Sequence, residues 1–167
     1  MENLISIKTM GQLSCSGDGR LNKFEVFGES DIAGNLLATD IIVKGSLNVK
    51  KNCESGTVNV NGEINVNGLL SGDEVYIEPR DKCYIEEIGG SEVIIKRSKS
   101  FFGFKRGKVT SKSIEADKVI LQDTECDVVR GENITILSGC SIKKVEYTGT
   151  LSVDKSSKVM EEVCQKN

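Results

Sequence analysis

Between Gly56 and Gly72 the chain reads GTVNVNGEINVNGLLSG, in which apolar and polar residues alternate and Gly56, Gly62 and Gly68 fall six residues apart. Alternation places successive side chains on opposite faces of extended backbone, so the stretch predicts short, half-buried strands punctuated by glycine. Such strands fit hairpins, a barrel or a coil that stacks on itself, and the spacing of neighbouring segments discriminates between them. Stepping by 17 residues from Val60 gives Val26, Val43, Val60, Ile77 and Ile94, a single aliphatic column. The same step gives Ile7, Phe24, Ile41, Val58 and Val75, then Cys15, Ile32, Val49, Val66 and Cys83, and then Gly11, Gly28, Gly45 and Gly62 before Pro79.

The period returns nearer the C-terminus, where Val119, Ile136 and Val153 are 17 residues apart and Ile142 steps to Val159. From Ile94 to Val119 is 25 residues, one period plus eight, so a segment is inserted there. A fixed period with alternation inside each unit marks a solenoid, whose units bury their apolar faces only against one another. Seventeen residues are too few for a helix-pair repeat and suit three short strands and three bends, each coil pairing in parallel with the next. Glycine is expected at the bends, where positive φ carries little steric cost. A hairpin meander would order equivalent residues in mirror fashion, whereas these columns all run in one direction. The predicted fold is therefore all-β, a single-stranded parallel β-helix of about 17 residues per coil. One domain spans residues 1–167, with an insertion at 96–108 and a short C-terminal cap at 157–167, where Val159, Met160, Val163 and Cys164 are spaced like one face of a helix.

Composition agrees with strands: there are 17 Gly, one Pro, no Trp and no His, with aromatics at 5%. No apolar run spans a bilayer and no signal-peptide pattern is present, so a soluble cytoplasmic protein is expected. The six cysteines, Cys15, Cys53, Cys83, Cys126, Cys140 and Cys164, are nowhere closer than fourteen residues, which supports neither a zinc site nor a CxxC redox site. They read as small buried hydrophobes.

The rungs FEVFGESDIAG, IIVKGSLNV and VNVNGEINVNG, with the later phrase ITILSGCSIKKVEYTGTLSVD, resemble the bactofilins, bacterial polymer-forming cytoskeletal proteins, in particular their longer Gram-positive-type members. The resemblance covers roughly residues 5 to 160. It implies a right-handed β-helix that assembles end to end into non-polar filaments without nucleotide, often at the inner face of the membrane.

The physics of an open stack leads to part of the same conclusion, growth by stacking at the ends. The strand edges at the two ends need either a cap or another chain, and head-to-tail pairing does not close. Ile5 and Ile7 at one end and Val159 and Val163 at the other are the candidate polymer contacts. The competing account is a capped, non-polymerising adaptor. Catalysis is not expected: solenoid acyltransferases and carbonic anhydrases rely on histidine, which this chain lacks. The carboxylates Asp73, Glu74, Glu78, Asp81, Glu86 and Glu87 would suit a carbohydrate-active β-helix, but they read first as solvated bends. No Walker or GxGxxG motif is present, and no catalytic, metal or cofactor residue is assigned.

Charge is segregated. KRSKSFFGFKRGK, residues 96–108, holds six basic residues, no acid and three of the five Phe, leaving 16 basic against 25 acidic residues elsewhere. Lys99, Phe101, Phe102, Phe104, Lys105, Arg106 and Lys108 are candidates for a membrane or partner contact. Phe side chains packed on the outside of the solenoid are the first reading, and an anionic membrane surface is the second. Single-stranded nucleic acid is the third, and is not expected given the acidic balance of the remaining chain.

Overall fold

Alternation and the 17-residue step predict coils, and coils are what form. The computed structural model describes residues 5–99 and 106–166, and every strand pair within them is parallel. Strands β1 (Ile7–Thr9) and β2 (Gln12–Cys15) make the first coil, β3 (Gly19–Val26) and β4 (Glu29–Ile32) the second, and β5 (Leu36–Val43) and β6 (Ser46–Val49) the third. β7 (Cys53–Pro79) runs through the fourth coil into the fifth. β8 (Lys82–Ile95), β9 (Lys108–Leu121), β10 (Thr124–Ile136), β11 (Ser141–Val153) and β12 (Lys158–Cys164) each end one coil and begin the next. About nine turns result, stacked in the order β1-β3-β5-β7-β8-β9-β10-β11-β12.

Each regular coil has three paired stretches, and alternate residues of each point inward. In the third coil these are Leu36, Ala38, Ile41, Val43, Leu47 and Val49, and in the fourth Cys53, Ser55, Val58, Val60, Ile64 and Val66, all buried. The core is thus a pile of aliphatic layers with no residue larger than Phe24 fully enclosed. Ser55 is accommodated because its hydroxyl donates to the Thr39 and Thr57 carbonyls at 3.0 and 2.8 Å. Outside, asparagine ladders clip the early coils together. Asn48 Nδ2 donates to Asp31 Oδ1 (2.9 Å), Asn65 Nδ2 to Asn48 Oδ1 (3.0 Å) and the Tyr84 N–H to Asn65 Oδ1 (2.9 Å).

Several expectations are corrected. Through the fourth coil the step is the predicted one, as in Ile7 with Phe24 and Val49 with Val66. The bend at Glu78 to Asp81 then lengthens, so Val66 pairs with Ile85 and Ile77 with Ile95. Ile94 pairs with Tyr76 on the outside, and Cys83 lies beside Ile64, whose N–H points to its Sγ at 3.4 Å. Val119 pairs with Ile134, while Ile136 lies against Leu121. Across the insertion Ile95 pairs with Leu121, so the long coil has 26 residues. Residues 158–164 form strand β12 rather than a helical lid, because their alternation continues the stack under β11.

The bend glycines serve close approach rather than positive φ, since Gly139 (φ 79°) is the only described glycine with that geometry. A Cβ on Gly28 would lie 2.0 Å from the Gly11 carbonyl oxygen, and one on Gly45 equally close to that of Gly28. Of the cysteines, Cys53, Cys83, Cys126 and Cys140 are buried as expected, Cys15 is half-buried, and Cys164 is exposed against expectation.

Candidate functional site at the open ends and on one bend

At the N-terminal end, β1 and β2 pair on one side only, with β3 and β4. Ile7 lies over Phe24 and is half-buried, and Ile5 is 67% exposed while its carbonyl accepts the Asn22 N–H at 3.0 Å. Leu13, Cys15 and Leu21 are likewise only partly covered, with no described residue forming a further layer above them. At the other end β12 pairs only with β11, and Leu151, Val153 and Val159 form the matching half-buried layer. Val159 continues the inward column of Ile142. Val163 does not continue one, since its partner Glu146 is in an outward row, and the inward column of Val145 ends in Glu162. Among the described residues, each end of the stack therefore shows a strand edge that no other described strand pairs, around an aliphatic layer.

The basic segment leaves the stack at the bend between the second and third stretches of its coil, and both of its stems are pinned. On the outgoing side the Lys96 N–H donates to the Ile77 carbonyl (3.0 Å) and the Arg97 N–H to Gln122 Oε1 (2.9 Å). The Arg97 guanidinium grips Asp123 bidentately, Nε to Oδ2 at 2.7 Å and Nη2 to Oδ1 at 2.9 Å, and this contact raises its already high pKa. Asp123 has φ 47°, an unusual conformation for a residue with a side chain. On the returning side a Cβ at Gly107 would meet the Pro79 carbonyl oxygen at 2.0 Å, and the Lys108 N–H donates to the Asp81 carbonyl at 3.2 Å. Lys108 also pairs with Glu125, which makes it a stem residue rather than a free contact. Lys99 and Arg106 are exposed, whereas Phe101, Phe102, Phe104 and Lys105 lie outside the described residues.

Sequence reasoning missed two features of this bend. Phe27, one position before a column glycine, lies between Lys8 and Lys44, whose Nζ atoms are 4.7 and 5.3 Å from its ring centroid. The Arg97–Asp123 clamp had no signal, because its partners are 26 residues apart across an irregular coil. The suspected carboxylate cluster is dispersed: Glu78 accepts from Tyr76 and Asn61, Glu86 pairs with Lys112, and Glu74 faces outward beside Glu92. Among the described residues no group of three or more His, Cys, Asp or Glu is arranged to hold a metal ion. Burial pushes the Cys53 thiol up to about 12 and that of Cys126 likewise, as befits packing residues. No helix among the described residues is long and apolar enough to cross a membrane.

The chain is similar to two Bacillus subtilis (strain 168) proteins. It is 40% identical over 95 residues to "Uncharacterized protein YhbF", a match covering 56% of this chain and 40% of that one. It is 31% identical over 99 residues to "Uncharacterized protein YhbE", covering 56% and 42% respectively. The match thus spans less than half the length of either relative. No family model and no solved structure matches the chain.

Proposed function

We propose that this chain is a cytoplasmic, bactofilin-like scaffold that polymerises end to end through its terminal coils, without nucleotide and without a catalytic step. What supports the reading is the matched pair of open edges. One end presents Ile7, Leu13, Cys15 and Leu21 half-covered, the other Leu151, Val153 and Val159. These are the residue types that fill the interior layers, so a second copy stacked on either end extends the same core. It also satisfies the N–H and C=O groups of β1, β2 and β12 that no strand of the described chain pairs. A contact of this kind repeats instead of closing.

The test is a concentration series by sedimentation velocity with negative-stain microscopy, on the parent chain and on Ile7→Asp. An acid in the end layer places an unpaired charge in the contact, and mean polymer length falls about tenfold or more while the far-UV spectrum stays strand-like. Added ATP or GTP has no effect. A parent chain that remains monomeric at every concentration, as a capped adaptor would, refutes the reading, as does a variant that polymerises like the parent.

A further inference from the structure

We infer that Glu162 makes growth at the C-terminal end proton-linked, so that a second copy stacks there more tightly as pH falls. The inference rests on the end-to-end contact proposed for this chain and adds a control to it. One inward column of the later coils reads Leu70, Ile88, Ile114, Val129 and Val145 in paired register, every member buried. The next member is Glu162, opposite Val145 on β12. Glu162 is exposed, and no described strand lies beyond β12. An acid thus stands where each coil before it puts an aliphatic side chain.

The charges around it do not neutralise it. Among the described residues Glu162 has no ion-pair partner. Lys144 on β11 is engaged by Glu146 at 2.8 Å and by Glu161 at 3.9 Å, and Arg130 by Glu146 at 2.6 Å. Lys158 opens β12 in the outward row of Ser141, and Lys166 lies past the end of that strand. Tyr147 and Cys164, paired in the neighbouring inward row, carry no positive charge in any state. Across the coil the end layer is Leu151, Val153 and Val159, all aliphatic.

A second copy stacked on this end takes Glu162 out of water. A covered carboxylate without a counter-charge is held in its neutral form, because burial penalises the charged one. The covering copy supplies no cation to the column. Gly19 heads the same column through Leu36 and Cys53, and Arg20 belongs to the outward row of Leu37. If an N-terminal end continues the register, Gly19 therefore falls over Glu162 and Arg20 over Val163. If a C-terminal end covers it, another Glu161 and Glu162 arrive. In both arrangements the contact takes up a proton that the free subunit, with an exposed carboxylate at neutral pH, does not hold. Association is then weakest at neutral pH and above, and it gains up to about tenfold per contact for each pH unit of acidification until the free subunit is protonated too.

Sedimentation velocity of the parent chain at about pH 7.5 and about pH 5.5, at one ionic strength, tests this, with an association constant at least about tenfold larger expected at the lower pH. Glu162→Gln, a neutral side chain of the same shape, is expected to associate at the higher pH at least about tenfold more tightly than the parent and to lose most of the pH dependence. Glu162→Val completes the aliphatic column and is expected to do the same without burying an amide. Glu161→Gln changes the net charge equally but alters an exposed neighbour already beside Lys144, so it keeps the parent's pH dependence. Three results overturn the inference: the parent associates equally at both pH values, neither Glu162 variant tightens at the higher pH, or Glu161→Gln abolishes the dependence as Glu162→Gln does. Equal association at both pH values that Ile7→Asp still weakens leaves the end-to-end contact standing, whereas a parent monomeric at both refutes that contact and the proton linkage together.

Discussion

A methyl group added at Gly45 would lie 2.0 Å from the Gly28 carbonyl oxygen, whereas one added at Gly17 meets nothing within 4 Å. Neither glycine has positive φ, so the difference is one of space alone. Gly45→Ala must push two coils apart at a point where the Ser46 N–H donates to the Gly28 carbonyl at 2.9 Å. The expected cost is about 1–3 kcal/mol, the range for overpacking a rigid site. Gly17→Ala is expected to be neutral or to stabilise by up to about 1 kcal/mol, because it narrows only the unfolded ensemble. Urea denaturation of the two variants measures both values, and equal losses would contradict the account of the bend glycines as spacers.

Among the elements, the stems of the basic segment show how an irregular coil is held in a regular stack. Twenty-six residues occupy a place that takes 17 in the early coils, as the pairing of Ile95 with Leu121 shows against that of Val26 with Val43. The excess leaves at Lys96 and returns at Gly107 without disturbing the flanking pairs, since Lys82 still aligns with Lys108. Arg97 does part of this by holding Asp123, itself braced through Gln122, whose Nε2 donates to Ser138 Oγ at 3.0 Å. Arg97→Ala leaves a carboxylate that is 9% exposed without its bidentate partner, and a loss of about 1–3 kcal/mol is expected. Arg97→Lys recovers part of it, because an ammonium cannot reproduce the two-pronged geometry. Thermal unfolding of both variants provides the comparison, and an alanine variant as stable as the parent would show the clamp to be incidental.

For the whole molecule, the stack is close to one-dimensional: each coil touches its neighbours and little else, so stability should vary along the axis. Val58, Val60, Ile64 and Val66 are covered on both sides, whereas Ile7 and Val159 are covered on one. Hydrogen exchange on the Ile7→Asp monomer is expected to give central amides protection at least about 100-fold above those of β1 and β12, because end coils open without the middle. In the assembled parent the end amides approach the central ones, since stacked copies supply the missing layer. Uniform protection in the monomer would argue against this graded stack, and unprotected ends in the polymer would argue against the end contact.

The coil, its parallel stacking and the inward columns of the first four turns were legible in the chain itself. Alternation decides which side of a strand is apolar, and a constant step decides which residues stack, so both survive in one dimension. The step fails where bends change length, and the chain hides the change. Ile94 next to Ile95, and Ile120 next to Leu121, present the same chemistry at two adjacent positions, although a slip of one residue turns a side chain from core to solvent. Only the pairing of whole coils chose Ile95 and Leu121 for the interior. The terminal segment shows the same limit: Val159, Met160, Val163 and Cys164 suit a helix face by spacing, and the exposed edge of β11 made a strand of them. Charge imbalance could be counted along the chain, but which acids are paired could not. Glu86 holds Lys112 in a direct ion pair while adjacent Glu87 interacts with that charge only at longer range, because neighbouring strand residues face different surroundings and a partner comes from another coil.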